Sequence, residues 1–273
     1  MSFILQKKVK QKLKRFFTFV LLLYVMVNVS LYVFQDKILF QPTALEQDYK
    51  FEFNHNFEEV FLKTDDEANI NAIHFKVENP KGVILYFHGN QGDLQRWGNI
   101  TEFFADKGYD VFVMDYRTYG KSTGKLSEEA LYSDAQFAYN YIKAKYSEQE
   151  ITVYGRSLGT TFATYVASKN KPKQLILETP YYSIVDVAKN RFPLIPVTQF
   201  MNYEFPTYNF MNEVDCYTII IHGTSDKVVP VSSGNKLYQT CNKTTTRFIT
   251  VDGANHNNLI DFDAYHREIN TIL

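Results

Sequence analysis

Residues 151–168 hold the feature that most restricts what this chain can become. Ile151-Thr152-Val153-Tyr154 reads as a short buried strand, and Thr160 to Ser168 reads as a helix of small residues. Between them stands Gly155-Arg156-Ser157-Leu158-Gly159, a serine with a glycine two positions away on each side. A strand that becomes a helix within so few residues crowds its own backbone, so small residues must flank the turn. The turn pushes the Ser157 hydroxyl out of the sheet edge, and the helix N-terminus behind it favours negative charge. That is a place to make a nucleophile and then stabilise an oxyanion. The five-residue pattern arises by chance in many chains, so it counts only if its chemical partners follow in order.

They do. Tyr217-Thr218-Ile219-Ile220-Ile221 reads as an apolar strand that ends in His222-Gly223-Thr224-Ser225-Asp226. Thr246 to Val251 reads as another, followed by Asp252-Gly253-Ala254-Asn255-His256. Serine, acid and base thus come in the order Ser157, Asp226, His256, the last two each in a loop after a strand. This is the chain order of the α/β-hydrolase fold and differs from the orders on other serine-hydrolase folds. In this reading His256 takes the serine proton, and Asp226 fixes the His256 tautomer. Asp252 stands too near His256 in sequence for that role, and Asp261 and Asp263 fall on the last predicted helix. The oxyanion needs two backbone donors. We assign them to Leu158, the residue after the serine, and to Asn90, in the loop His88-Gly89-Asn90-Gln91-Gly92-Asp93 that follows the strand Gly82–Phe87.

The rest of the pattern alternates. Glu58–Lys63 and Ile70–Val77 read as an antiparallel pair, and further strands begin near Gly82, Asp110, Ile151, Gln174, Tyr217 and Thr246. Helices are predicted near 93–107, 127–146, 158–169, 231–240 and 257–272. This predicts a mostly parallel eight-stranded sheet with helices on both faces. Pro180 to Glu213 interrupts the alternation with three more prolines and many aromatic residues, so a short cap is expected at about 180–213, between strands six and seven. As a cap it would line an acyl or alkyl pocket and exclude water; equally, most of its rings need only pack it onto the domain.

Taken together, these pieces resemble the Bem46-type α/β hydrolases, a family that includes membrane-bound serine hydrolases. The resemblance rests on Ile38-Leu39-Phe40-Gln41-Pro42-Thr43, on His88-Gly89-Asn90 with Gly92-Asp93, and on Asp115-Tyr116-Arg117 with Tyr119-Gly120 and Ser122. It also rests on Tyr154–Gly159, Leu177-Glu178-Thr179-Pro180, His222 through Asp226 to Pro230, and His256-Asn257. It covers about residues 20–272 and implies a serine hydrolase without naming a substrate. Thr118 departs from it, standing where the family usually has glycine, and Thr179 stands where serine is more usual.

The N-terminus has its own logic. Residues 1–15 hold six basic residues and no acid, which leaves 23 basic against 30 acidic residues in the remainder. Phe16 to Phe34 carries no charge, and nineteen residues at ~1.5 Å each nearly span the ~30 Å hydrocarbon core. We therefore divide the chain into a basic cytoplasmic tail (1–15), a transmembrane anchor (16–35) and a hydrolase domain (36–273). The positive charge before the span predicts a cytoplasmic N-terminus and an exoplasmic domain, periplasmic in a Gram-negative cell. A cleaved signal peptide is the alternative, against which stand the length of the run and the lack of an A-x-A-like site.

Other residues bound the chemistry. His88 and His222 read as structural loop residues, and His55, His74 and His266 show no metal-ligand spacing, so no metal or organic cofactor is expected. Asp93 and Asp115 read as loop and helix-start residues, and Arg156 with Glu178 as a candidate ion pair beneath the site. An acidic globular domain excludes nucleic acid as the natural partner. Cys216 and Cys241 fall at the same end of the predicted sheet, where either a disulfide or two free thiols would fit. The expected function is a membrane-anchored serine hydrolase acting on an ester or thioester, its partner a small-molecule or lipid-like acyl substrate. A peptidase or amidase on the same residues and a catalytically silent binding protein remain as alternatives.

Overall fold

The computed structural model describes residues 2–273. Its main sheet has eight strands: β1 (Phe57–Lys63), β2 (Asn69–Phe75), β3 (Val83–Phe87), β4 (Asp110–Met114), β5 (Ile151–Arg156), β6 (Gln174–Glu178), β7 (Tyr217–Gly223) and β8 (Thr246–Val251). They lie in the order β1-β2-β4-β3-β5-β6-β7-β8. β1 pairs antiparallel with β2 and β2 antiparallel with β4, and all the other pairings are parallel. This is the α/β-hydrolase fold.

The central strands β3 to β6 are buried along their whole length, which explains why they read as apolar runs rather than as alternations. The period of two survives in where the side chains go. Val83, Leu85 and Phe87 of β3 join one core with Leu131 of α4 (Glu128–Lys143), Phe162 of α5 (Gly159–Lys169) and Leu237 of α9 (Val231–Thr240). Ile84 and Tyr86 join the other, with Trp97 and Phe104 of α3 (Leu94–Ala105) and Tyr265 and Ile269 of α10 (Asp263–Ile272). Each fully buried side chain of this kind contributes ~1.5–3 kcal/mol. Helix starts are capped from the sequence: the Asp93 carboxylate accepts from the N–H groups of Gln95 and Arg96, and the Ser127 hydroxyl accepts from that of Ala130.

The region 180–213 holds three short helices, α6 (Ile184–Arg191), α7 (Val197–Phe200) and α8 (Thr207–Met211). At the other end of the chain, α1 runs from Ser2 to Val33, and by length and composition its segment Leu5–Val33 is able to cross a membrane. No residue from Leu5 to Val33 is fully buried against the protein. A short α2 (Gln35–Leu39) follows, and then Gln41 and Pro42 pair with Gln91 and Gly92.

Cys216 and Cys241 are both free thiols, so the bridge considered above does not form. The Cys241 Sγ donates instead to the Leu237 carbonyl. Burial pushes the Cys216 thiol up to about 12 and the Cys241 thiol up to about 11, so both stay protonated.

Candidate active site

Ser157 sits in the turn between β5 and α5 with φ of 50°, a left-handed conformation that a non-glycine residue adopts only under constraint. The constraint is visible. The Ser157 N–H donates to the Glu178 carbonyl on β6, and its own carbonyl accepts from Thr160 Oγ1 at 2.6 Å. The flanking glycines are needed for space: a Cβ on Gly155 would meet the backbone of Gly159 and Thr160, and one on Gly159 would meet the carbonyl of Phe87 on β3.

The loops after β7 and β8 bring the two partners to this turn. His256 Nε2 lies 2.9 Å from Ser157 Oγ, and His256 Nδ1 lies 2.7 Å from Asp226 Oδ2. An ionised carboxylate only accepts, so the proton of the neutral ring belongs on Nδ1, leaving Nε2 to accept from the serine. Asp226 Oδ1 accepts from the N–H groups of Val228 and Val229 at 2.8 and 2.9 Å. Burial alone would raise the Asp226 carboxyl, but hydrogen bonds from His222, His256 and the Val229 N–H outweigh it and hold the group well below the usual carboxylate range. A ring held between a fixed carboxylate and a hydroxyl can take the hydroxyl proton and return it to a leaving group.

Leu158 and Asn90 both line the cavity that opens over Ser157. Among the described residues, the backbone N–H of neither donates a hydrogen bond elsewhere. The Asn90 loop is held from several sides. Asn90 O accepts from the Gln41 N–H at 2.9 Å and from the Tyr119 hydroxyl at 2.7 Å, and Asn90 Nδ2 donates to the Leu39 carbonyl at 2.9 Å. Residues 39–41, just after the apolar helix, therefore fix the loop that carries the second candidate donor. Sequence reasoning noted that stretch only as part of a resemblance. Its signal was present, in a short extended run with proline next to an apolar segment, but nothing in spacing says which loop it pairs with.

Beneath the turn lies a buried polar layer. Arg156 Nε is 3.1 Å from Glu178 Oε1, and Arg156 Nη2 reaches the carbonyls of His256 and Asn257, each at 3.4 Å. Glu178 Oε2 accepts from the hydroxyls of Tyr154 and Tyr265. The expected ion pair is thus present and extends to the backbone of the histidine loop. His222, read as structural, has its ring 3.4 Å from Asp226 Oδ2 and 2.9 Å from the Val229 carbonyl, behind the acid. His88 lies 3.2 Å from Asp115 and stacks on Trp97, under the Asn90 loop. Asp115 is fully buried, which raises its carboxyl.

The cavity itself measures about 510 Å³. Its wall is largely apolar, with Tyr181, Ile184 and Val187 from the cap region among its members, and Arg191 and Lys227 as the only charged residues among those described. Thr118, the departure noted above, keeps φ of 74°, the conformation that suits glycine, at an exposed turn away from the cavity wall.

Comparison with known proteins agrees with this architecture. A family model described as serine aminopeptidase, S33, matches residues 78–219, a little over half of the chain, a stretch that includes Ser157 and ends before Asp226 and His256. An uncharacterised protein of Acanthamoeba polyphaga mimivirus is 31% identical over 84% of this chain and 88% of its own length. The bem46 protein of Schizosaccharomyces pombe is 29% identical over 88% of this chain and 85% of its own. Among solved structures, an esterase of Pyrococcus furiosus superposes with a TM-score of 0.64 at 19% identity, covering 86% of this chain and 97% of the esterase, a likeness of fold. The chain belongs to the Bem46-type α/β-hydrolase family, a family of serine hydrolases and esterases.

Proposed function

We propose that this protein is a membrane-anchored serine hydrolase that cleaves a carboxylic ester or thioester of a hydrophobic acyl group. The observation that carries the reading is the continuous chain Ser157 Oγ, His256, Asp226, with separations of 2.9 and 2.7 Å. Ser157 Oγ attacks the carbonyl carbon while His256 Nε2 takes its proton. The N–H groups of Leu158 and Asn90 hold the oxyanion, and Asp226 balances the imidazolium. Collapse of the tetrahedral adduct expels the alcohol or thiol, which leaves with the proton from His256. Water then attacks the acyl-enzyme with His256 again as base, releasing the acid and restoring Ser157. The apolar cavity wall favours a hydrophobic acyl group over a polar one.

In this reading residues 1–15 form a basic cytoplasmic tail, 16–35 the anchor and 36–273 the hydrolase domain, with the cap at about 180–213 and the domain on the exoplasmic side. A second reading, a peptidase or amidase on the same residues, is favoured by the serine aminopeptidase description of the matching family model. Fluorophosphonate labelling of the full chain in detergent, beside Ser157→Ala, tests the chemistry. Label on the wild type and none on the folded variant is expected, and label retained by the variant refutes the assignment. Turnover of p-nitrophenyl esters of graded length, set against aminoacyl p-nitroanilides, separates the two readings.

A further inference from the structure

The cavity over Ser157 is not walled by the hydrolase domain alone. Asn28, Leu31, Tyr32 and Gln35 also line it. Asn28, Leu31 and Tyr32, three and four residues apart, put one stripe along the end of α1 against the cavity, and Gln35 continues it at the start of α2. Gln35 ties this stripe to the cap: its Oε1 accepts from the Asn202 N–H at 2.7 Å, and its Nε2 reaches the Phe200 carbonyl at 3.4 Å.

A second contact lies deeper. The Tyr24 hydroxyl donates to the Leu194 carbonyl at 3.1 Å. Tyr24 stands ten residues before Phe34, where the uncharged run ends, and so at ~1.5 Å per residue lies roughly 15 Å inside it. A cap loop that reaches Tyr24 stands beside the bilayer core rather than above the membrane surface. The composition of that loop fits the place. Phe192 to Met201 carries no charge, Leu194 at its tip is 84% exposed, and Phe200 is 43% exposed. Apolar side chains held out in this way are unfavourable in water and favourable in hydrocarbon. Pro193 and Pro196 each lack the N–H group that would otherwise need a partner there.

We propose that the acyl chain of a bilayer lipid enters this cavity sideways, between α1 and the cap loop 192–201, and reaches Ser157 without leaving hydrocarbon. The apolar helix is then a wall of the acyl site as well as a tether. The proposal rests on the hydrolase reading and names its substrate class, an acyl ester resident in the bilayer.

The test uses the full chain in phosphatidylcholine vesicles that contain a phosphatidylcholine bearing a diazirine near the end of one acyl chain. After illumination, adducts are mapped by peptide mass. Adducts on the cavity residues Tyr181, Ile184 or Val187 are expected in the wild type and equally in Ser157→Ala. They should fall about tenfold in Leu31→Trp, which fills the helix stripe, and stay unchanged in Val33→Trp, which places the same indole off the cavity wall. A parallel arm compares labelling of Ser157 by a hexadecyl and an ethyl fluorophosphonate. Leu31→Trp should slow the long reagent about tenfold more than the short one, and reaction with the short one reports that the variant is folded. Wild-type vesicles without cavity adducts, or equal effects of Leu31→Trp and Val33→Trp, would overturn lateral entry. Cavity adducts with no fluorophosphonate label on the wild type would instead remove the hydrolase reading and leave lateral entry standing.

Discussion

The floor and the roof of the cavity are built from different materials. The floor is the carboxyl edge of the sheet, where Ser157, Asp226 and His256 stand on turns pinned by buried polar groups such as Arg156 and Glu178. Breaking such a pair is expensive, because an unpartnered charge in the interior is costly. The roof is made of α6, α7 and the end of α1. α6 contains no fully buried residue, and the loop after it presents Leu194 to the outside. It is tied by exposed bonds, Gln35 to Asn202 and Phe200 and Tyr24 to Leu194, rather than by a buried polar layer like the one under the floor. In the proposed function, chemistry belongs to the floor and the choice of acyl group to the roof.

The largest effect expected from breaking the floor is chemical. Asp226→Asn should lower turnover about ten-thousandfold, because the His256 tautomer is no longer held. The same variant should alter stability against pH. A carboxyl held below its ordinary value near 3.8 contributes stability that is fully present above that value and is lost as pH falls toward the folded-state value. Urea midpoints measured from pH 7 down to pH 3 should therefore drop more steeply in the wild type than in Asp226→Asn, and parallel curves would reject the claim.

Next comes the layer under the floor. Glu178→Gln leaves the buried Arg156 guanidinium without its counter-charge and should destabilise the fold by ~3 kcal/mol. Equilibrium unfolding in urea reads this, and a shift under ~1 kcal/mol would mean that water already screens the pair. Thr118→Gly, outside both regions, should stabilise by ~1 kcal/mol, since a β-branched residue at φ of 74° is strained where glycine is not. The smallest effect belongs to the roof. Leu194→Ser should change unfolding free energy by less than ~0.5 kcal/mol, because the side chain has almost no contacts to lose. A large loss in that variant would show that the roof is packed as tightly as the floor.

Much of the floor is legible in the sequence because local rules specify it. The glycines at 155 and 159 mark a tight turn, and the order of Ser157, Asp226 and His256 follows the order of strand ends across one half of the sheet, from β5 past β6 to β7 and β8. The all-apolar strands carry less information. Nothing in Val83–Phe87 says which residue faces which layer of helices, since both faces are buried. The Arg156–Glu178 pair was no more than a candidate in the sequence, which does not show that the two side chains meet, and its reach to the His256 carbonyl left no signal, because that contact joins residues a hundred positions apart.

Taken alone, the amino-acid sequence determined the order of strands and helices, the apolar helix at the N-terminus and the identity of the three residues that meet at the sheet edge. These follow from periodicity, charge and turn chemistry, which act over a few residues at a time. Only the tertiary structure decided that both cysteines stay free, that residues 39–41 hold the Asn90 loop, and that the last turns of α1 wall the cavity over Ser157. Each of these depends on where distant segments come to rest, and that is settled by the packing of the whole chain, with its closure entropy and competing burial, rather than by any local preference.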